Sequence, residues 1–100
     1  MNKETIIEKL KCAASELASY GVSEAGLYGS YVRNENTDQS DIDILIDFEN
    51  GEETFDNFYA VINMLEKLFE GYQVEVVTKK GLSPFIGPHI LKEVEYVKVS

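Results

Sequence analysis

Apolar residues recur along the first part of the chain at helical spacing. Ile6, Leu10, Ala13, Ala14 and Leu17 fall on one face, with Lys and Glu between them. This pattern predicts an amphipathic helix stopped by Gly21, since glycine suits the position just past a helix end. Cys12 lies beside that face and reads as a small, partly buried packing residue. A second helix is predicted after Thr54, whose hydroxyl can cap it. Phe55, Phe58, Tyr59, Ile62, Leu65, Leu68 and Phe69 give it a wide apolar stripe, and Gly71 closes it. Between the helices the apolar period shortens to that of strands. Residues 25–28 form a short strand leading into Gly29-Ser30. Residues 41–48 alternate strictly, with Ile42, Ile44, Ile46 and Phe48 on one face and Asp41, Asp43, Leu45 and Asp47 on the other. Residues 72–78 predict a further strand, Lys79-Lys80-Gly81 a solvated turn, and residues 94–99 a last edge strand. Pro84 and the Gly87-Pro88 pair limit helix there to a short piece around residues 89–93. The order helix, two strands, helix, one or two strands predicts an α/β (α+β) fold, with helices packed on a small mixed β-sheet.

Composition narrows the class. At 100 residues, the chain has the length of one ordinary domain, and residues 1–100 are expected to form a single unit. An apolar content of 44% supplies a core and argues against disorder. Eighteen acids against nine bases leave a formal charge of −9, which disfavours direct nucleic-acid binding and anionic membrane surfaces. A single cysteine excludes an intramolecular disulfide and a cysteine-rich zinc site. No apolar run has the length of a membrane span, and the first residues lack a signal peptide's apolar stretch, so a cytoplasmic location is expected.

Candidate chemistry lies in Gly29-Ser30-Tyr31-Val32-Arg33 and Ser40-Asp41-Ile42-Asp43. Two carboxylates two residues apart on a strand share a face, with Cα atoms about 6–7 Å apart. Like charges so close are costly unless a cation or water relieves them, and hard oxygen ligands suit Mg²⁺. A pair of such ions about 3.5–4 Å apart would clamp the attacking and leaving oxygens of a phosphoryl displacement. The plainer reading is two acids on the wet face of a half-exposed strand. A calcium loop is excluded, because Leu45 and Ile46 stand where it requires a further oxygen ligand and then glycine. A Gly-Ser turn after a buried strand lets backbone N–H groups approach a polyphosphate, and Arg33 adds a guanidinium suited to its oxygens. The chain has neither a Walker A loop nor a G-x-G-x-x-G motif.

In combination these residues resemble the minimal nucleotidyltransferase family of the DNA polymerase β-like nucleotidyltransferase superfamily. Its signature is a Gly-Ser turn, an Arg shortly after it, and a Ser-Asp-x-Asp strand about ten residues beyond. The likeness extends to Val74-Glu75-Val76-Val77-Thr78 and to Ile90-Leu91-Lys92-Glu93-Val94. Three positions depart from the pattern: Val32 replaces a small Ala, Asn34 replaces the usual Gly, and Glu75 stands where Asp is common. The resemblance implies the nucleotidyltransferase fold, with Gly29, Ser30, Arg33 and Ser40 at the nucleotide and Asp41, Asp43 and Glu75 as catalytic metal ligands. It implies two Mg²⁺ ions, ATP as co-substrate, and transfer of AMP to a hydroxyl with release of pyrophosphate. It also implies an acceptor tyrosine on a HEPN-type RNase toxin, which the transferase silences as its antitoxin. The alternative is a catalytically weak or inactive module that binds nucleotide or neutralises a toxin. Homo- or hetero-oligomeric state stays open. Asp47, Lys79, Lys80 and His89 read as surface or structural residues, Tyr28 as packing, and Tyr31 as a contact for the bound base.

Overall fold

The computed structural model describes residues 1–99. The expected first helix is two: α1 (Lys3–Cys12) and α2 (Ala14–Ser19), broken at Ala13. Asn2 caps α1, its side-chain oxygen accepting from the Thr5 N–H at 2.9 Å. Ile6, Leu10 and Leu17 are fully buried as expected. Cys12 is exposed, contrary to the packing role expected of it. Two residues past Leu10, it stands about 200° around the helix and so faces away from the core.

A seven-residue strand, β1 (Val22–Tyr28), follows Gly21, and β2 (Ile42–Phe48) pairs with it antiparallel. β1 begins three residues earlier than the apolar pattern suggests. An irregularity in register between Val22 and Glu24 breaks the alternation there and hides the strand's start. α3 (Phe55–Leu68) crosses over to β3 (Val74–Thr78), which runs parallel to β2. Thr54 caps α3 through a 3.1 Å bond from the Asn57 N–H. The buried arc of α3 centres on Leu65, with Val61 and Met64, and Phe69 follows just past the helix end. Phe55 and Tyr59 stack on each other at 5.9 Å outside that arc, at 79% and 56% exposure, so the stripe is narrower than expected. Tyr59 lies about 120° around the helix from Leu65.

A single 3-10 turn at Lys79–Gly81 leads on to α4 (Gly87–Glu93), which has Pro88 in its first turn, and to β4 (Glu95–Lys98), an edge strand antiparallel to β1. The sheet order is β3-β2-β1-β4. One face carries Leu27, Ile42, Ile44 and Ile46 against α1, α2 and α3. On the opposite face α4 lays Ile90 over Tyr28 and Leu45, so Leu45 is buried rather than solvated. Helices therefore cover both faces, but α4 is short and covers its face only in part. No helix among the described residues is long and apolar enough to cross a membrane.

Candidate active site

The part of the sheet beside α4 holds the chemistry. Strand register sets Asp43 of β2 opposite Tyr28 of β1 on one side and opposite Glu75 of β3 on the other. The three side chains form a row across adjacent strands. They line a cleft of about 560 Å³, shared with Gly29 and Arg33 on one flank and Leu82, Ile86, His89, Ile90 and Glu93 on the other.

Gly29 ends β1 in the left-handed region, at φ +84°, and a Cβ there would collide with the Asp43 carboxylate. Only glycine lets the chain turn this close to the acid. The following residues wind tightly: the N–H groups of Val32 and Arg33 both donate to the Gly29 carbonyl, and that of Glu35 donates to the Ser30 carbonyl at 2.9 Å. Asn34 has φ +59°, which explains why glycine suits this position and why asparagine is an adequate replacement. Tyr31 is buried in the main core and anchors the turn, so it is not the base contact its position suggested.

Charge is crowded here. Burial, the Glu75 and Asp41 charges and a hydrogen bond shared with Glu75 push the Asp43 carboxyl up to about 6, although Arg33 draws it down. Tyr28 is pushed up to about 12 by burial and by the Asp43, Glu75 and Glu93 carboxylates, so its hydroxyl stays protonated at neutral pH. Across the cleft the Gly29 N–H donates to Glu93 Oε2. Arg33 donates through one terminal nitrogen to both Glu93 oxygens, at 2.8 and 3.0 Å, and through Nε to Glu35 at 2.7 Å.

Of the residues singled out from sequence, Gly29, Arg33, Asp43 and Glu75 meet at the cleft wall, whereas Ser30, Ser40 and Asp41 do not. Ser40 closes a local loop, its hydroxyl accepting from the Thr37 N–H at 2.8 Å. Asp41 is exposed just before β2, near enough for its charge to act on Asp43. Lys79 turns away to Glu24, at 3.8 Å, and to the Tyr96 ring. Sequence reasoning missed Glu93 and His89 as wall residues. Glu93 lies in a segment that shares the family likeness, but nothing local gives it a role, and it meets Arg33 across 60 positions of chain.

No three acids, histidines or cysteines among the described residues form a closed metal cage. Asp43 and Glu75 instead present hard oxygens from neighbouring strands. Mg²⁺ commonly takes one or two protein carboxylates and completes its shell with phosphate oxygens and water, so this donor set is compatible with it.

A mixed sheet with a glycine turn facing paired acids across a strand end is the arrangement that the resemblance to nucleotidyltransferases implies, and comparison with known proteins agrees. The family model for the nucleotidyltransferase domain matches residues 7–97, and the chain belongs to that family. Protein adenylyltransferase MntA of Thermococcus cleftensis is 42% identical over 78 residues, covering 78% of this chain and 77% of that protein. A candidate protein adenylyltransferase of Methanocaldococcus jannaschii is 39% identical over 80 residues, covering 78% and 79%. The solved structure of a candidate minimal nucleotidyltransferase superposes with a TM-score of 0.79 at 30% identity, over 95% of both chains. A toxin–antitoxin crystal structure with AMP-PNP shares the fold, with a TM-score of 0.65 at 18% identity over 96% of this chain and 72% of that one.

Proposed function

We propose that this chain is a Mg²⁺-dependent protein adenylyltransferase that moves AMP from ATP onto a tyrosine of a HEPN-type toxin and thereby acts as its antitoxin. The observation that carries the reading is the Asp43–Glu75 pair set opposite the Gly29 turn within one cleft. Relatives named as protein adenylyltransferases, and a toxin–antitoxin neighbour solved with AMP-PNP, support the nucleotide, the acceptor class and the partner.

In this reading the acceptor oxygen attacks the α-phosphorus and forms a P–O bond while the bond to pyrophosphate breaks. The acceptor's proton passes to a carboxylate of the Asp43–Glu75 pair, of which Asp43 is made more basic than an ordinary aspartate by burial and by its acidic neighbours. Mg²⁺, two ions by family likeness, would be held by Asp43 and Glu75 with Asp41 beside them, and supplies charge neutralisation at the phosphates. The Gly29 N–H and the Arg33 guanidinium orient the phosphates. Tyr28, Leu82 and Ile90 form the apolar part of the wall beside Asp43.

The test is incubation with α-labelled ATP, Mg²⁺ and a HEPN-type toxin. Label is expected on a toxin tyrosine together with released pyrophosphate, and Asp43→Asn should abolish both while leaving circular dichroism unchanged. Nucleotide binding and toxin neutralisation without transfer would identify a non-catalytic module, a reading favoured by the engagement of Arg33 with two carboxylates.

A further inference from the structure

We propose that Glu93 sets the affinity of this site for nucleotide by competing, as an internal carboxylate, for the donors of the phosphate turn. The inference rests on the cleft being a nucleotide site, and it concerns what that site does to its own ligand. A phosphate in the cleft is served by the Gly29 N–H, released from the sheet at the end of β1, and by the Arg33 guanidinium. Both already donate to Glu93: Gly29 to Oε2, and Arg33 to both oxygens at 2.8 and 3.0 Å. The carboxylate thus makes the paired, charge-assisted contacts that a phosphoryl group makes.

The surrounding field adds to the effect. Glu35 takes the Arg33 Nε–H, Asp43 and Glu75 face the same cleft, and Lys79 is turned toward Glu24. Arg33 is therefore the only Lys or Arg lining the cleft among the described residues, and it is shared between two acids. An incoming triphosphate must take Gly29 and Arg33 from Glu93 or lie beside a third carboxylate.

The position of Glu93 allows the exchange. It is the last residue of α4, the next residue leaves the helix with ψ +135°, and its side chain is 23% exposed. A rotation of that side chain frees both donors without moving α4, whose Ile90 stays packed on Tyr28 and Leu45. Glu93 thus holds the turn in shape and is displaced by a ligand that binds the same donors more tightly.

The experiment is calorimetric titration of MgATP into wild type and Glu93→Gln, with thermal melts of both proteins as the control for folding. A glutamine keeps the shape but exchanges a charge-assisted acceptor for a neutral one, so MgATP should bind about five- to tenfold more tightly. Glu93→Asp, whose acid falls one methylene short of the turn, should also bind more tightly, and it carries the test if the glutamine variant does not fold. Equal or weaker binding in the folded variant would show that Glu93 is only a strut for the turn, and would overturn the proposal while leaving the nucleotide reading intact. Absence of MgATP binding in wild type and variants alike would overturn the nucleotide reading itself, and the proposal with it.

Discussion

At Gly29 backbone and chemistry meet in one residue. Its φ of +84° and the Asp43 carboxylate packed where a Cβ would go make any side chain doubly unfavourable. Gly29→Ala should therefore cost about 1–2 kcal/mol from the left-handed backbone alone, and more from displacement of Asp43. Urea unfolding should show this loss, and the same variant should lose MgATP binding because Asp43 must move. A variant with wild-type stability would mean that the turn relaxes and that the close approach is not required. Gly29, Arg33 and Asp43 were legible from sequence because each sits in a short motif or at a fixed strand offset, and Glu75 through the family likeness of its strand. Tyr31 was misread for the opposite reason: its neighbours placed it in the motif, but its side chain turns inward to anchor the loop in the core. The contact of Glu93 with the turn could not be read, because its partners lie some sixty positions away and only the packing of α4 brings them together.

At the scale of elements, the register of β1, β2 and β3 makes Tyr28, Asp43 and Glu75 one row, and the acids in it act on each other. Asp43 titrates near 6 in the folded protein, against about 3.9 when unfolded. Between those values the folded state binds more protons than the unfolded one, so the Asp43 contribution to ligand-free stability grows as pH falls from 7 toward 4. It is lost as pH rises through 6. Asp43→Asn removes the effect. At pH 7 the ligand-free variant should be the more stable by on the order of 1 kcal/mol after allowance for screening, and its advantage should shrink on acidification to pH 4. Paired melts across that range check it, and a wild type more stable at pH 7 would contradict it. The alternation of β2 made the polar side of that strand, with Asp43 on it, visible in the sequence. The irregularity in β1, the break at Ala13 and the burial of Leu45 beneath α4 were not visible. None of the three leaves a local periodic signal, since each depends on which element packs on which.

For the whole molecule, the repulsion in that row predicts that ligand reverses the order of stability. Ligand-free, the carboxylates of Asp43 and Glu75 face each other from neighbouring strands with Asp41 close by, in a chain of net charge −9. Nothing in the core compensates for losing one of them, because Asp43 stands on the cleft side of β2 while Ile42 and Ile44 carry the packing. The variant is therefore expected to melt no lower than wild type. On the proposed function MgATP changes the balance, because it would bind the folded wild type through the two acids. At a hundredfold excess over its dissociation constant it should add about 2.7 kcal/mol to the wild type. For a domain of this length that is a rise in melting temperature on the order of 10 °C. On that reading Asp43→Asn would lack a ligand for the metal and should rise much less, so the two melting curves should exchange places when MgATP is added. The exchange should weaken below pH 6, where Asp43 takes up a proton that would compete with the metal for its carboxylate oxygen. If wild type is the more stable without ligand and neither protein responds to MgATP, the row of acids is only the wet face of a strand.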